Sequence, residues 1–181
     1  MRKFILGTLI AIVVVGAAAM IERSIRLNRP IPSEMAPTGK VLPKDTKLLD
    51  VSTKKTVTTE KYLGKVVLVN FWASWCTACM VEMPSIVKLH EMLKVDGFEI
   101  LSINVDEDPQ AVVPEIVRKY KMNFPVYSEI DSELSKKFNV VAIPYSAMLD
   151  KKMQVVWAES GERDWTSDEV ITEIKRLQKA N

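Results

Sequence analysis

Residues 65–79 constrain this chain more than any other stretch. "KVVLVNFWA", 65–73, is a near-continuous apolar run rich in valine. Such a run suits a strand buried on both faces, not one that alternates between core and water. From residue 76 the spacing turns helical, with Met80, Met83, Ile86, Val87 and Leu89 to Leu93 along one region. A fully buried strand feeding a helix predicts a crossover to a parallel neighbour. Both cysteines of the chain, Cys76 and Cys79, fall at that strand-to-helix junction.

The rest of the pattern extends the same layout. "GFEILSINVDED" reads as a second buried strand. Residues 109–121 open with a proline and place Val112, Val113, Ile116, Val117 and Tyr120 as one apolar face of a helix. "FPVYSE" predicts a short strand and "DSELSKKFN" a short helix. "AIPYSAMLD" and "MQVVWAES" predict an antiparallel hairpin around "DKK". A last helix carries Val170, Ile171, Ile174 and Leu177, with Thr166 and Glu169 as its expected capping box. Upstream, "KLLDVSTKKTVTTEKYLGK" gives a strand, a turn and a possible second strand. The expected fold is α/β, a mixed central sheet with helices on both faces.

The cysteine pair admits three chemistries: a metal site, a structural staple or a reactive dithiol. A structural zinc takes four Cys or His ligands. This chain offers two cysteines and one histidine, His90, so an intrachain Cys/His zinc site cannot be completed. A bridge over so short a loop constrains the unfolded chain little. The reactive reading is favoured by position. Unpaired N–H groups and the macrodipole at a helix start stabilise an anion, and cysteines there ionise more readily than free ones. Cys76 is therefore the expected nucleophile. Cys79, one turn later on the same face, is the expected resolving thiol, more buried and acting second. His90, two turns beyond Cys79, reads as a surface or partly buried helix residue, not a catalytic group. A net charge of +2 offers no basic field for nucleic acid.

The front end carries a different signal. Phe4 to Ile21 contains no charge and follows Arg2 and Lys3. As a helix it reaches roughly 27 Å, close to a bilayer core. Residues 1–21 read as a signal anchor or a cleaved signal peptide; the anchor is favoured because a secretory apolar region is usually shorter. Arg23, Arg26 and Arg29 on the far side leave orientation unsettled by charge. Either reading as an export signal places the domain outside the cytoplasm. Residues 22–44, broken by Pro30, Pro32, Pro37 and Pro43, read as a tether, and 45–181 as the folded domain.

"VVLVNFWASWCTACMVEMP" resembles the active-site stretch of thioredoxin-fold proteins. It is most similar to the membrane-tethered group related to TlpA, ResA and the cytochrome c maturation thioredoxins (CcmG/DsbE-like). The resemblance covers about Leu42 to Lys179. Trp75 precedes the first cysteine, Pro84 follows the second by five residues, "INVDEDP" follows the second strand, and "AIPYSAML" matches a loop that carries a cis proline in the family. The resemblance implies that Pro144 is that proline, beside the dithiol, and that Ile143 presents backbone to an extended substrate; an ordinary trans proline opening a strand is the alternative. Trp75 is the implied flanking residue, whereas Trp72 suits the core equally well. Trp157 and Trp165 carry no motif.

Two departures stand out. The classical family line has a buried aspartate six residues before the first cysteine. Here that position is Asn70, which takes no proton. The tethered group often carries an acid after the dithiol, and Glu82 occupies that place. It is the implied proton relay for Cys79; a solvated helix residue is the alternative. Secondly, no proline precedes Cys79, where "TA" separates the cysteines. Together these imply an extracytoplasmic thiol–disulfide oxidoreductase without a dissociable cofactor. Its partners would be protein thiols or disulfides, a membrane electron donor and the membrane itself, its domain in the periplasm or an equivalent space. An oxidase or isomerase, a copper chaperone using the same two thiolates, and a redox-dead scaffold are the rivals.

Overall fold

The computed structural model describes residues 2–27 and 39–180, with side chains for 12–25 and 39–180. The predicted tether prolines Pro30, Pro32 and Pro37 lie outside the described residues. Helix α1, Arg2–Leu27, continues six residues past the expected boundary at 21. Among the described residues no helix is long and apolar enough to cross a membrane; the predicted span begins at Phe4, ahead of the first described side chain. The folded body is entered early: Val41 bridges Gln154 and Leu42 is buried.

The domain is one seven-stranded sheet in the order β2-β1-β5-β4-β3-β6-β7. Inside it lies β3, Val66–Trp72, every residue of which is buried. It runs parallel to β4, Phe98–Asn104, and β4 runs parallel to β5, Val126–Glu129. These are the two crossovers that the apolar runs predicted. One is helix α2, Thr77–Leu93, and the other is helix α3, Pro109–Tyr120. On the other side β3 pairs antiparallel with β6, Tyr145–Leu149, which turns back into β7, Val155–Ser160. A second antiparallel pair, β1, Lys47–Asp50, with β2, Thr56–Thr58, closes the far edge against β5. The fold is thus thioredoxin-like α/β with a mixed sheet.

Side-chain alternation along β3 divides the core in two. Val66, Leu68 and Trp72 pack with Met83, Ile86 and Leu89 of α2, Val113 of α3, and Val170, Ile174 and Leu177 of α5, Asp168–Lys179. Val67, Val69 and Phe71 pack on the opposite face with Leu134 and Phe138 of α4, Glu133–Phe138, and with Tyr62, Leu101 and Ile103. Each such fully buried aliphatic or phenyl side chain contributes about 1.5–3 kcal/mol. The same parity puts Asn70 on the α2 side, the one polar break in that face of the strand. Between α2 and β4 the chain reverses at Gly97, φ 81°, a left-handed position that suits glycine.

One predicted cap is corrected. The N-cap position of helix α5 is Ser167, not Thr166, and its side chain makes no cap hydrogen bond. The Thr166 hydroxyl donates instead to Asp164 Oδ1 at 2.7 Å. Asp164 and Thr166 form a local turn before the helix, a competing use of these short polar side chains.

Candidate active site

Strand β3 ends at Trp72, and the chain needs four residues to enter α2. Ser74 anchors this connection. Its N–H and its hydroxyl both donate to Asp106, each at 2.8 Å. Asn104 Nδ2 holds the same carboxylate at 2.7 Å. The acid of the "INVDEDP" segment after β4 thereby fixes the loop that carries the first cysteine. Trp75, next in line, is 70 % exposed.

Cys76 is the N-cap of α2, and its Sγ accepts from the Cys79 N–H at 3.2 Å. An N-cap acceptor satisfies one of the orphan donors of the first turn. In the reduced protein the same donor and the helix dipole favour a thiolate at this sulfur. The two sulfurs form a disulfide here, S–S 2.08 Å with Cα atoms 5.3 Å apart. Cys76 keeps 7 % of its surface exposed and Cys79 none. Cys76 is thus the more accessible of the two sulfur-bearing residues and Cys79 the sealed one.

Glu82, one turn beyond Cys79, does not face solvent. It is 1 % exposed, on the inward stripe shared by Cys79, Met83 and Ile86. Its Oε1 accepts from Asn70 Nδ2 at 2.9 Å. Its Oε2 accepts from Trp165 Nε1 at 3.1 Å and from the Arg163 backbone N–H at 3.3 Å. Burial pushes its pKa up to about 8, against the pull of those three hydrogen bonds, and nearby Glu159 adds to the rise. A strand amide thus holds the helix acid. Asn70 Nδ2 also donates to Ser146 Oγ at 3.0 Å, tying the site to β6.

The peptide bond between Ile143 and Pro144 is cis, as the resemblance implied. Pro144 immediately precedes β6, the strand that pairs with β3. Ile143 is partly buried and joins Trp75, Val105, Val140 and Val141 in lining a groove. Trp72 belongs to the core: it is buried, and its Nε1 donates to Ser102 Oγ at 2.8 Å. His90 is more buried than expected, held through Nδ1 by Asn123 Oδ1 at 3.0 Å. Trp165, Arg163 and Ser146 were missed. Trp165 and Arg163 lie in an irregular segment more than 80 residues from Glu82, and no local spacing signals a contact of that kind. Among the described residues no three His, Cys, Asp or Glu side chains gather to hold a metal ion.

A thioredoxin-like sheet, a dithiol at the start of helix α2 and a cis proline ahead of β6 together define a thiol–disulfide oxidoreductase. Residues 35–174 match the family described as Redoxin, and the chain belongs to that family. It is similar to the thiol-disulfide oxidoreductase ResA of Bacillus thuringiensis subsp. konkukian, 32 % identical over 123 residues, covering 68 % of this chain and 69 % of that one. It is also similar to the sporulation thiol-disulfide oxidoreductase A of Bacillus subtilis, 26 % identical over 58 % of this chain and 68 % of that protein. Among solved structures, a putative thiol:disulfide interchange protein DsbE from Chlorobium tepidum superposes with a TM-score of 0.69 at 22 % identity, over 79 % of this chain and 99 % of that one. That likeness bears on the fold alone.

Proposed function

We propose that this protein reduces disulfides of exported proteins, held at a membrane by its N-terminal segment with the domain on the extracytoplasmic side. The observation that carries the reading is the order of groups along α2: an N-cap cysteine that keeps a little exposure, a sealed sulfur one turn behind, and a buried carboxyl one turn further. In the first step the Cys76 thiolate attacks one sulfur of a substrate disulfide. A mixed disulfide forms, and the other substrate sulfur leaves as a thiolate that takes a proton from water. Cys79 then gives its proton to the Glu82 carboxylate and attacks Cys76 Sγ. The mixed disulfide breaks, the second substrate thiolate leaves, and two electrons have passed to the substrate. The enzyme is left with the Cys76–Cys79 disulfide, the state seen here.

Trp75, Val141 and Ile143 supply apolar surface beside Cys76; Val141 is 86 % exposed. An extended substrate segment would lie there, along the strand opened by Pro144. In an oxidising compartment re-reduction requires a donor dithiol, and a membrane electron donor is the proposed source. Apocytochrome c thiols and copper-site proteins are the proposed substrates. Exposed Ile12, Val13, Val14, Val15, Met20 and Ile21 on α1 support lipid contact by that helix. The deciding experiment is the reduction potential of the pair against a thiol buffer. A value near or below ~−270 mV supports a dedicated reductant; one near ~−120 mV makes the protein an oxidant and overturns the reading.

A further inference from the structure

We infer that Trp165 is a positioning residue for Glu82: its indole N–H, opposite the Asn70 amide, sets how readily Glu82 takes the proton of Cys79. The inference rests on the reading of Glu82 as that proton acceptor.

Among the described residues three donors reach the Glu82 carboxylate, and none is charged. Trp165 Nε1 and the Arg163 N–H share Oε2 at 3.1 and 3.3 Å, while Asn70 Nδ2 takes Oε1 at 2.9 Å. Nothing on these atoms can accept a proton from a Glu82 O–H, so the enclosure favours the ionised group. Burial favours the neutral one. The balance between them decides whether the carboxyl can cycle in neutral solution, and each donor moves it.

Trp165 is held for this task at both ends. Its backbone N–H donates to Ser85 Oγ at 3.1 Å, and that hydroxyl donates to the Glu82 carbonyl at 2.8 Å. The indole therefore rides on the same helical turn as its acceptor. Its ring meets Trp157 edge-on at 5.4 Å, and the Arg163 guanidinium lies 5.3 Å from the centre of the Trp157 ring. Arg163 is ion-paired with Glu159 of β7, Nη2 to Oε2 at 3.1 Å. That pairing directs the segment's one buried cation to Glu159 and leaves Glu82 to uncharged donors. The charged and titratable groups facing Glu82 are thus Cys79 on its own helix, Glu159 from β7 and Arg163 from the following segment. Asn70 from β3, with Ser146 of β6 behind it, is neutral. A phenylalanine at 165 would keep an aromatic ring there but lack the Nε1–H.

The test follows release of the second glutathione when the reduced full-length protein reacts with glutathione disulfide, across pH, in wild type, Trp165→Phe and Glu82→Gln. A donor to a carboxylate stabilises its charged form, so losing one raises the midpoint of the Glu82-dependent limb. We expect Trp165→Phe to move that midpoint up by about one pH unit, a roughly tenfold slower resolving step on its acid side. The first glutathione, released by Cys76, should leave at the wild-type rate. Should Trp165→Phe fail to fold, site-specific replacement of Trp165 by benzothienylalanine, which keeps the ring shape and lacks the N–H, is measured in its place with the same expectation. An unmoved midpoint in the folded variant overturns the positioning role. If the limb persists in Glu82→Gln, Glu82 is not the acceptor and the underlying reading falls with it. If the limb vanishes in Glu82→Gln yet stands unmoved without the indole N–H, only the role of Trp165 falls.

Discussion

Helix α2 buries two polar side chains, Glu82 and His90, and they are solved in opposite ways. Glu82 lies one turn past Cys79 and meets uncharged donors from β3 and from the segment after β7. Burial favours its neutral form, and the three donors favour its charged one. His90, eight residues on, meets an acceptor and an acid: Asn123 Oδ1 at 3.0 Å from Nδ1, and Glu99 Oε2 at 3.5 Å from Nε2. Its ring stands edge-to-face on Phe124 at 5.5 Å, and Glu99 is also paired with Lys65 at 2.8 Å. The histidine is tied into the scaffold away from the dithiol. Burial of a polar group is common to both; adjacency to a reacting sulfur, with partners that leave the proton negotiable, belongs to one.

The comparison breaks most visibly at the sulfurs. Cys76→Ser should abolish disulfide reduction. Cys79→Ser should stop it after the first step and leave a mixed disulfide between Cys76 and substrate, visible as an added mass that dithiothreitol removes. No trapped species in Cys79→Ser would show that Cys76 is not the attacking atom.

Glu82→Gln comes next. Losing a general base costs about 10²–10⁴-fold in the step it serves, so resolution should slow while the first step holds. The same variant changes stability. Unfolded, the carboxyl titrates near 4.5; folded, near 8. Between those values the native state holds a proton that the unfolded chain has released. The favourable contribution is complete below pH ~4.5 and is lost as pH rises through ~8, with a slope of up to ~1.4 kcal/mol per pH unit. Denaturant titrations across that window should show the slope in wild type and its absence in Glu82→Gln. Equal slopes would mean that Glu82 is ionised when folded.

His90→Ala sharpens the contrast from the other side. We expect a loss of about 1–3 kcal/mol in unfolding free energy with unchanged kinetics of both thiol steps. A changed pH profile would put His90 in the redox chemistry and erase the distinction. The smallest effect is expected at Asp106→Ala, which frees Ser74 and with it the entry to α2. Chemistry should survive. Turnover should fall only several-fold, in the spirit of small misplacements of a reacting group, and backbone amide exchange of residues 74–76 should quicken.

The mixed sheet and the dithiol's place were legible because they rest on local signals. The valine run of β3, the change to helical spacing at 76 and the turn chemistry of the hairpin each act over a few residues. Cysteines at a strand-to-helix junction have predictable electrostatics, since a helix start exposes N–H groups whatever the rest of the chain does. The cap of α5 was misread by one residue, because Thr166 had a nearer partner in Asp164.

What the sequence by itself determined, then, was the buried strand, the helix that follows it and the place of the two sulfurs between them. The surroundings of Glu82 were decided only by tertiary structure. Asn70 faces the helix through strand parity, but Trp165 and Arg163 arrive from a segment without regular structure, after a hairpin and its return. Their hydrogen bonds to Glu82 exist because the packing of β7 and α5 against α2 brings them there. A carboxyl's affinity for its proton depends on burial and on donors within about 3 Å, and neither is written in the spacing of neighbouring residues.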